Sequence, residues 1–173
     1  MANAMRGLAT GNREGKPAER NQTVHTPEII LNVCRAVWDG EIELDPCASR
    51  ERAPFAKRSF YGTGWLDDGL EAIWPPKSFF NPPYKELGLW LGHARDQFEW
   101  VGLYPVRSNR AWWCDFHRFY VTRVAWLKPL VFEGFDGGTF PAPLVLTYRG
   151  GRSARFERAV HDAGISHWIG AGI

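Results

Sequence analysis

Two consecutive prolines directly after an apolar run constrain the fold of this chain more than any other feature. The run Ser78-Phe79-Phe80 is typical of a buried strand, and Asn81-Pro82-Pro83-Tyr84 follows it at once. Proline has no N–H to give to a sheet ladder and fixes its own φ angle, so the strand must end here in a stiff turn. Such a turn keeps carbonyl oxygens free at the end of a strand.

The residue types in this turn suit the binding of a planar NH2 group. The side-chain oxygen of Asn81 and the Pro82 carbonyl can accept both amine hydrogens, and Tyr84 offers a flat face on which a base can stack. The N6 amine of adenine is a poor nucleophile because the ring shares its lone pair. Two acceptors can draw it towards tetrahedral geometry and stabilise the developing positive charge. The pattern indicates methyl transfer to nitrogen, and an ordinary turn is the alternative.

An acidic strand end upstream gives a second signal. The segment 41–49, Glu-Ile-Glu-Leu-Asp-Pro-Cys-Ala-Ser, is typical of a strand that ends at Asp45 and continues into a turn of small residues. Ligands of open α/β sheets bind beyond the carboxyl ends of the strands. We therefore expect Asp45 to lie in a ligand crevice, where its carboxylate can accept a hydrogen bond from a cationic amino group.

Strands and helices alternate along the chain, which predicts an α/β fold with a mostly parallel twisted sheet and helices on both faces. Thr26 is predicted to cap the first helix, with Pro27 at its first position. The other predicted elements are a strand ending at Asp45, a long loop with short elements at 50–74, the strand 78–80, a helix with Leu87, Leu91, Ala94 and Phe98 on its apolar face, a strand 100–104, a helix 111–120, a strand 121–127, an antiparallel terminal pair of 130–132 with 144–148, and a last helix 152–163.

Length and composition favour one globular domain. The chain has 173 residues, of which 45% are hydrophobic, and this suffices for one core. Residues 1–22 are polar and basic, so we predict a flexible arm followed by a single domain at 23–173.

Positive charge is local rather than general. The net charge is +2, and residues 1–24 carry four cations against two acids, which leaves the rest of the chain formally neutral. Arg50 and Arg52 follow the Asp45 turn, and Arg107 and Arg110 follow the strand that ends at Pro105. These four residues are therefore predicted to contact nucleic acid. Arg149, Arg152, Arg155 and Arg158 form a further candidate patch. Solvated surface charge is the alternative for every patch.

Metal, membrane and export functions have no support in the sequence. The cysteines at 34, 47 and 114 lack the spacing of a zinc site, and the histidines form no metal-binding pattern. No stretch approaches the eighteen apolar residues of a membrane span, and the first residues lack the apolar segment of an export signal. We expect no structural metal, no membrane partner and a cytoplasmic location.

The order of these motifs resembles that of the phage-type DNA N6-adenine methyltransferases, small S-adenosylmethionine-dependent enzymes of the Dam group. Their pattern has Thr-Pro, an Asp-x-x-Ala turn, Asp-Gly-Leu before Trp, Asn-Pro-Pro-Tyr, and Leu-x-Pro before a helix rich in Trp and Phe. The matching residues are Thr26-Pro27, Asp45-Pro46-Cys47-Ala48, Asp68-Gly69-Leu70 with Trp74, Asn81-Pro82-Pro83-Tyr84, and Leu103-Tyr104-Pro105 before Trp112-Trp113. The resemblance spans residues 23 to 148.

The resemblance implies a Rossmann-like methyltransferase fold, S-adenosylmethionine as cofactor and DNA as partner, with adenine flipped out of the stack. It implies that Asn81, Pro82, Pro83 and Tyr84 form the catalytic pocket and that Thr26, Pro27, Asp45, Pro46, Cys47, Ala48 and Asp68 hold the cofactor. Glu51 is a candidate for the ribose contact. For Asp68, a solvated turn and a cap for a short helix at 70–73 are the alternatives.

Other functions remain compatible with the same residues. Cytosine N4, adenine N6 in RNA and the side-chain nitrogen of a protein glutamine are chemically similar amines. A catalytically idle DNA-binding module is a further alternative, because the turn Pro46-Cys47-Ala48-Ser49 contains no glycine.

Overall fold

A computed structural model describes residues 25–50, 53–61, 68–132 and 138–172. These residues form a mixed sheet of seven strands with helices packed against it. In chain order the elements are α1 Glu28–Val37, β1 Leu44–Asp45, β2 Arg58–Ser59, β3 Ser78–Phe80, a 3-10 turn Tyr84–Glu86, α2 Leu87–Ala94, β4 Trp100–Pro105, α3 Ala111–Tyr120, β5 Arg123–Leu127, β6 Leu144–Arg149, α4 Ser153–Ala163 and β7 Ser166–Ala171. The predicted α/β class is confirmed.

The sheet is parallel at one end and antiparallel at the other. Its strand order is β2-β1-β3-β4-β6-β5-β7, and β2, β1, β3 and β4 run parallel. β6 lies antiparallel between β4 and β5, and β7 pairs antiparallel with the outer edge of β5. The chain moves from β1 outwards to β2 and then returns to the other side of β1 for β3. The strand order therefore reverses between β1 and β3.

Each face of the sheet buries its own core because successive strand residues point to opposite faces. In β4, Val101 and Leu103 pack with residues of α1 and α4, whereas Trp100 and Tyr104 pack with residues of α2 and α3. All four side chains are fully buried. Burying a large apolar side chain contributes roughly 1.5–3 kcal/mol, so the two cores fix the strands and the loops that follow them.

The prediction of the terminal strand pair was wrong. Residues 130–132 do not pair with 144–148; Val131 makes an isolated bridge to Thr139, while Leu144–Arg149 forms β6 inside the sheet. Every residue from Leu144 to Tyr148 is buried, which is the pattern of a central strand covered on both faces. The edge strand β7 was not predicted, because its residues are half-buried or exposed and lack a run of apolar positions.

The start of α1 and the end of α2 also differ from the predictions. Pro27, not Thr26, is the N-cap residue of α1, and no side chain caps this helix. α2 ends at Ala94, and Phe98 lies beyond it with 76% of its surface exposed. Beyond the helix end, the side-chain oxygen of buried Gln97 accepts the Trp74 backbone N–H at 2.9 Å.

Some expectations lie outside the described residues. They include the flexible arm at 1–22, Glu51 and Arg52. Within the described ranges, no helix is long and apolar enough to cross a membrane.

Candidate functional site

The strand order brings two predicted motifs to one crevice. Asp45 ends β1, and Asn81 directly follows β3, the neighbouring parallel strand on the other side of the order reversal. Crevices at such reversals, outside the carboxyl ends of the strands, bind ligands in open α/β sheets. A cleft is present there, termed the Asp45 cleft, and its lining consists of His25, Thr26, Asp45, Cys47, Ala48, Ser49, Ala53, Pro54, Phe55, Tyr61 and Asn81.

Asp45 is held by the turn that follows it. Its Oδ1 atom accepts the backbone N–H of Cys47 at 3.0 Å, and only 6% of the residue is exposed. A hydrogen bond from residue i+2 to an aspartate side chain is the usual way in which this residue shapes a turn. The carboxylate is therefore fixed in position at the wall of the cleft, where it supplies negative charge.

The Cys47 thiol is neutral. Burial raises its pKa well above the ordinary value, the negative charge of Asp45 raises it further, and a hydrogen bond from the Asn81 backbone offsets part of the rise. A thiol of this kind is a poor nucleophile because the thiolate is the reactive form. Cys47 therefore acts as a small packing residue that joins the β1 turn to the β3 turn.

The side chain of Asn81 has one bonded end and one unbonded end. Its Nδ2 atom donates to the Thr26 Oγ1 atom at 3.2 Å, across the start of α1. Its Oδ1 atom is buried and has no hydrogen-bond partner among the described residues. An unpartnered buried oxygen costs about 1–3 kcal/mol, so its presence in a cleft needs an explanation.

The two prolines of the turn differ in how their carbonyls are used. The Pro83 carbonyl accepts the Glu86 N–H at 3.0 Å and begins the 3-10 turn. Pro82 is buried, and its carbonyl takes part in none of the backbone hydrogen bonds found outside the helices and strands in the described ranges. The expectation of free carbonyls therefore applies to Pro82 and was wrong for Pro83.

Tyr84 does not line the Asp45 cleft. Its ring meets Phe140 edge to face, with ring centres 5.5 Å apart, and burial raises the pKa of its phenol above the ordinary value. Tyr84 lines a second cleft, termed the Arg107 cleft. The lining consists of Tyr84, Lys85, Leu87, Gly88, Val106, Arg107, Asn109, Arg110 and Trp112.

The cations of the Arg107 cleft differ from most others in the molecule. Within the described residues, no carboxylate forms a salt bridge with Lys85, Arg107 or Arg110, and none lines the cleft. Elsewhere the pairs include Arg35 with Glu28, Lys57 with Glu41 and Glu43, Arg123 with Glu157, and both Arg152 and Arg155 with Asp39. The patch predicted around Arg152 is therefore at least partly neutralised.

Asp68 lies near the β1 turn but does not line the Asp45 cleft. Its Oδ1 atom accepts the Leu70 N–H at 2.8 Å, so it stabilises its own turn, and no helix forms at 70–73. The neighbouring backbone is tightly packed, because a Cβ atom on Gly69 would come within 2.1 Å of the Pro46 carbonyl oxygen. This close approach explains why glycine stands at 69.

The structure unites part of the predicted set and adds members to it. Thr26, Asp45, Cys47, Ala48 and Asn81 share the Asp45 cleft, whereas Pro27 and Pro46 do not line it. Arg50 lies over the Tyr61 ring, 5.6 Å from its centre, away from Arg107 and Arg110 in the other cleft. Four lining residues were not predicted from the sequence: His25, Phe55, Tyr61 and Lys85. Trp112 belongs to a motif that was noted in the sequence, but no role was predicted for it.

The described residues contain no cluster of three or more side chains that could hold a metal ion. Comparisons with protein-family models, with curated proteins and with solved structures gave no match, so the geometry of the two clefts carries the functional argument.

Proposed function

We propose that this protein transfers a methyl group from S-adenosylmethionine to the N6 amine of adenine in DNA, with the base outside the stack. The corresponding fold is a Rossmann-like methyltransferase domain acting in the cytoplasm. The order β2-β1-β3-β4 supports it, because doubly wound sheets with this order bind cofactors at the reversal between their first and third strands.

The observation that carries the proposal is that the turn Asn81-Pro82-Pro83-Tyr84 has one end in each of two clefts of different chemistry. Asn81 itself lines the Asp45 cleft, and Tyr84, three residues later, lines the Arg107 cleft. The unpartnered Oδ1 atom of Asn81 is an acceptor that lacks its donor. An amine hydrogen would satisfy this atom and remove the cost of leaving it unpaired.

The Asp45 cleft fits part of the cofactor. Asp45 would accept from its amino group or a ribose hydroxyl, and Thr26 lies at the same wall. The cleft encloses about 50 Å³, which is smaller than the about 300–1,000 Å³ of usual small-molecule sites. A bound cofactor would therefore extend beyond the interior, past lining residues such as Ser49, Ala53 and Tyr61.

The chain's own residues would orient and polarise the amine. Bound S-adenosylmethionine supplies an electrophilic methyl group on a positively charged sulfur. Asn81 Oδ1 and the Pro82 carbonyl would each accept one amine hydrogen, which favours the charge that develops on nitrogen during attack. The phenol of Tyr84 stays protonated because its pKa is raised, so it is not a general base. The amine proton leaves after transfer.

Thr26 would set the direction of the Asn81 amide. Because Asn81 Nδ2 donates to Thr26 Oγ1 at 3.2 Å, the amide oxygen is turned away from this contact and keeps no partner of its own among the described residues. Thr26 is thus a positioning residue, and it links the start of α1 to the amine pocket.

Binding and label transfer test the proposal in two steps. Equilibrium dialysis with labelled cofactor is expected to give saturable binding, because Asp45 and Thr26 line the cleft that would hold its cationic end. The methyl label is then followed into DNA, RNA and protein offered separately, and we expect it in DNA. Binding without transfer to any acceptor would favour the idle module, and transfer to protein alone would contradict the proposed substrate.

A further inference from the structure

We infer that the Arg107 cleft binds single-stranded nucleic acid in preference to duplex, with Trp112 as a stacking surface for a base. The inference rests on the proposed function for the identity of the target amine. It goes beyond that function by assigning a role to Trp112 and by choosing the form of the substrate.

The aromatic side chain most open to solvent in this cleft is Trp112. It is 42% exposed at the first turn of α3, whereas its neighbour Trp113 is fully buried in the core. Tyr84 is the other aromatic residue of the lining, but one edge contact with Phe140 already occupies part of its surface. A base that enters the cleft therefore has the indole of Trp112 as its larger free surface.

The charges around Trp112 suit a phosphate backbone. Lys85, Arg107 and Arg110 line the same cleft, and no carboxylate of the described chain pairs with them. The cleft measures about 490 Å³, which is room for a nucleotide. An aromatic surface beside a cationic groove is the usual arrangement in proteins that bind single strands without sequence preference.

Relative magnitudes favour the single strand. Stacking of one base on an aromatic residue strengthens binding about 5- to 150-fold. Extrusion of a base from a duplex weakens binding on the order of 100-fold, since its pairing and stacking are lost. One exposed indole therefore only cancels the cost of extrusion, whereas an unpaired base keeps the whole gain.

The test measures affinity without cofactor, so it does not depend on catalysis. Fluorescence anisotropy gives the Kd of a labelled adenine-containing DNA strand, of the same strand in a duplex, and of the RNA strand. We expect the single DNA strand to bind on the order of 100-fold more tightly than the duplex. Equal binding of the RNA strand supports the inference, because its bases and phosphates are the same recognition groups.

Matched variants on α3 locate the binding surface. Trp112→Leu is expected to weaken single-strand binding about 5- to 150-fold. Phe119→Leu removes an aromatic residue that is 67% exposed on the same helix but outside the cleft, and it should leave the Kd unchanged. Arg110→Gln should lower the slope of log affinity against log salt by about 0.7, and Arg118→Gln, outside the cleft, should not.

Three results would overturn the inference: duplex binding as tight as single-strand binding, equal losses in Trp112→Leu and Phe119→Leu, or unchanged affinity in Trp112→Leu. Circular dichroism verifies that each variant is folded. If the strand binds as expected but no methyl group is transferred, the proposed function fails and the binding site stands.

Discussion

The two clefts differ in volume and in charge, although residues of a single four-residue turn, Asn81 to Tyr84, line both. The Asp45 cleft encloses about 50 Å³ around a carboxylate that is 6% exposed, while the Arg107 cleft has about 490 Å³ and three cations. The first suits the cationic end of a small ligand, and the second suits a polyanion. The difference teaches that the turn after one strand can line two ligand sites, one with an acidic wall and one with cationic walls.

Replacement of Asn81 should give the largest loss of activity. Asn81→Ala is expected to lower kcat about 100- to 1,000-fold, because it removes an acceptor that acts on charge developing in the transition state. Cofactor affinity should change little. Rates from label transfer are compared with Asn32→Ala, an exposed α1 residue whose side chain accepts a hydrogen bond from Arg35. An undiminished rate in Asn81→Ala contradicts the amine role.

Acid should destabilise the fold through His117 of α3, the helix whose first turn carries Trp112 of the Arg107 cleft. His117 of α3 is fully buried, and burial lowers its pKa from the ordinary 6.5 to about 4. The unfolded chain thus binds a proton more readily than the folded chain. Stability is full above pH 6.5 and falls as the pH drops towards 4, on the order of 3 kcal/mol in all.

Denaturant unfolding at several pH values measures this loss. His117→Asn should flatten the fall between pH 6.5 and 4, while His161→Gln, an exposed residue of α4, should retain it. A fall of equal size in the His117 variant would assign the acid sensitivity to other groups.

The charge of Asp45 should govern the cofactor side alone. Asp45→Asn keeps an acceptor for the Cys47 N–H but removes the negative charge, so cofactor affinity should fall about 10- to 150-fold. Nucleic-acid affinity should not change. Calorimetric titration gives both affinities, and Asp162→Asn, at an exposed position of α4, is the control. Loss of nucleic-acid binding in Asp45→Asn would mean that the clefts are not separate sites.

Close packing under the Asp45 cleft predicts a stability difference between two glycines. Gly69→Ala should destabilise the fold by about 1–3 kcal/mol, because the new methyl group collides with the Pro46 carbonyl. Gly92→Ala lies in α2 with no atom within 4 Å of the new Cβ and should stabilise by roughly 0.5–1 kcal/mol. Thermal unfolding distinguishes them, and equal shifts would contradict the close approach.

The smallest effect is expected at Thr26. Thr26→Val keeps the shape but removes the acceptor for Asn81, which should lower kcat about 2- to 12-fold with KM unchanged. Thr26→Ser should restore the rate. The side-chain amide signal of Asn81 in nitrogen-15 NMR spectra should shift in the valine variant and not in the serine variant. A shift without a change in kcat would make the bond purely structural.

Local patterns predicted the parts of the fold that local physics decides. The helix at 111–120 matched its predicted bounds, and the proline-ended strands 78–80 and 100–105 formed beside each other. The position of 144–149 depends on which strand covers the open edge of β4, a long-range choice that sequence spacing does not reveal. The same holds for β7, whose half-exposed residues carry no clear pattern.

The Asp45 cleft was predictable because parallel strands end at the same edge of a sheet. This rule alone brings Asp45 and Asn81 together. The role of Trp112 was not predictable, since Trp112 and Trp113 are adjacent and only the packing of α3 decides which one is buried. The ring contact between Phe140 and Tyr84 was not predictable either, because Phe140 lies in a loop far from Tyr84 along the chain.

Nucleoside analysis after reaction tests the central claim most directly. The protein is incubated with methyl-labelled S-adenosylmethionine and a single-stranded oligonucleotide containing adenine, and the digested strand is analysed by mass spectrometry. The account predicts labelled N6-methyladenine with the unchanged chain and a loss of about 100-fold or more with Asn81→Ala. Cofactor binding without any methylated nucleoside, or equal methylation by the variant, would contradict it.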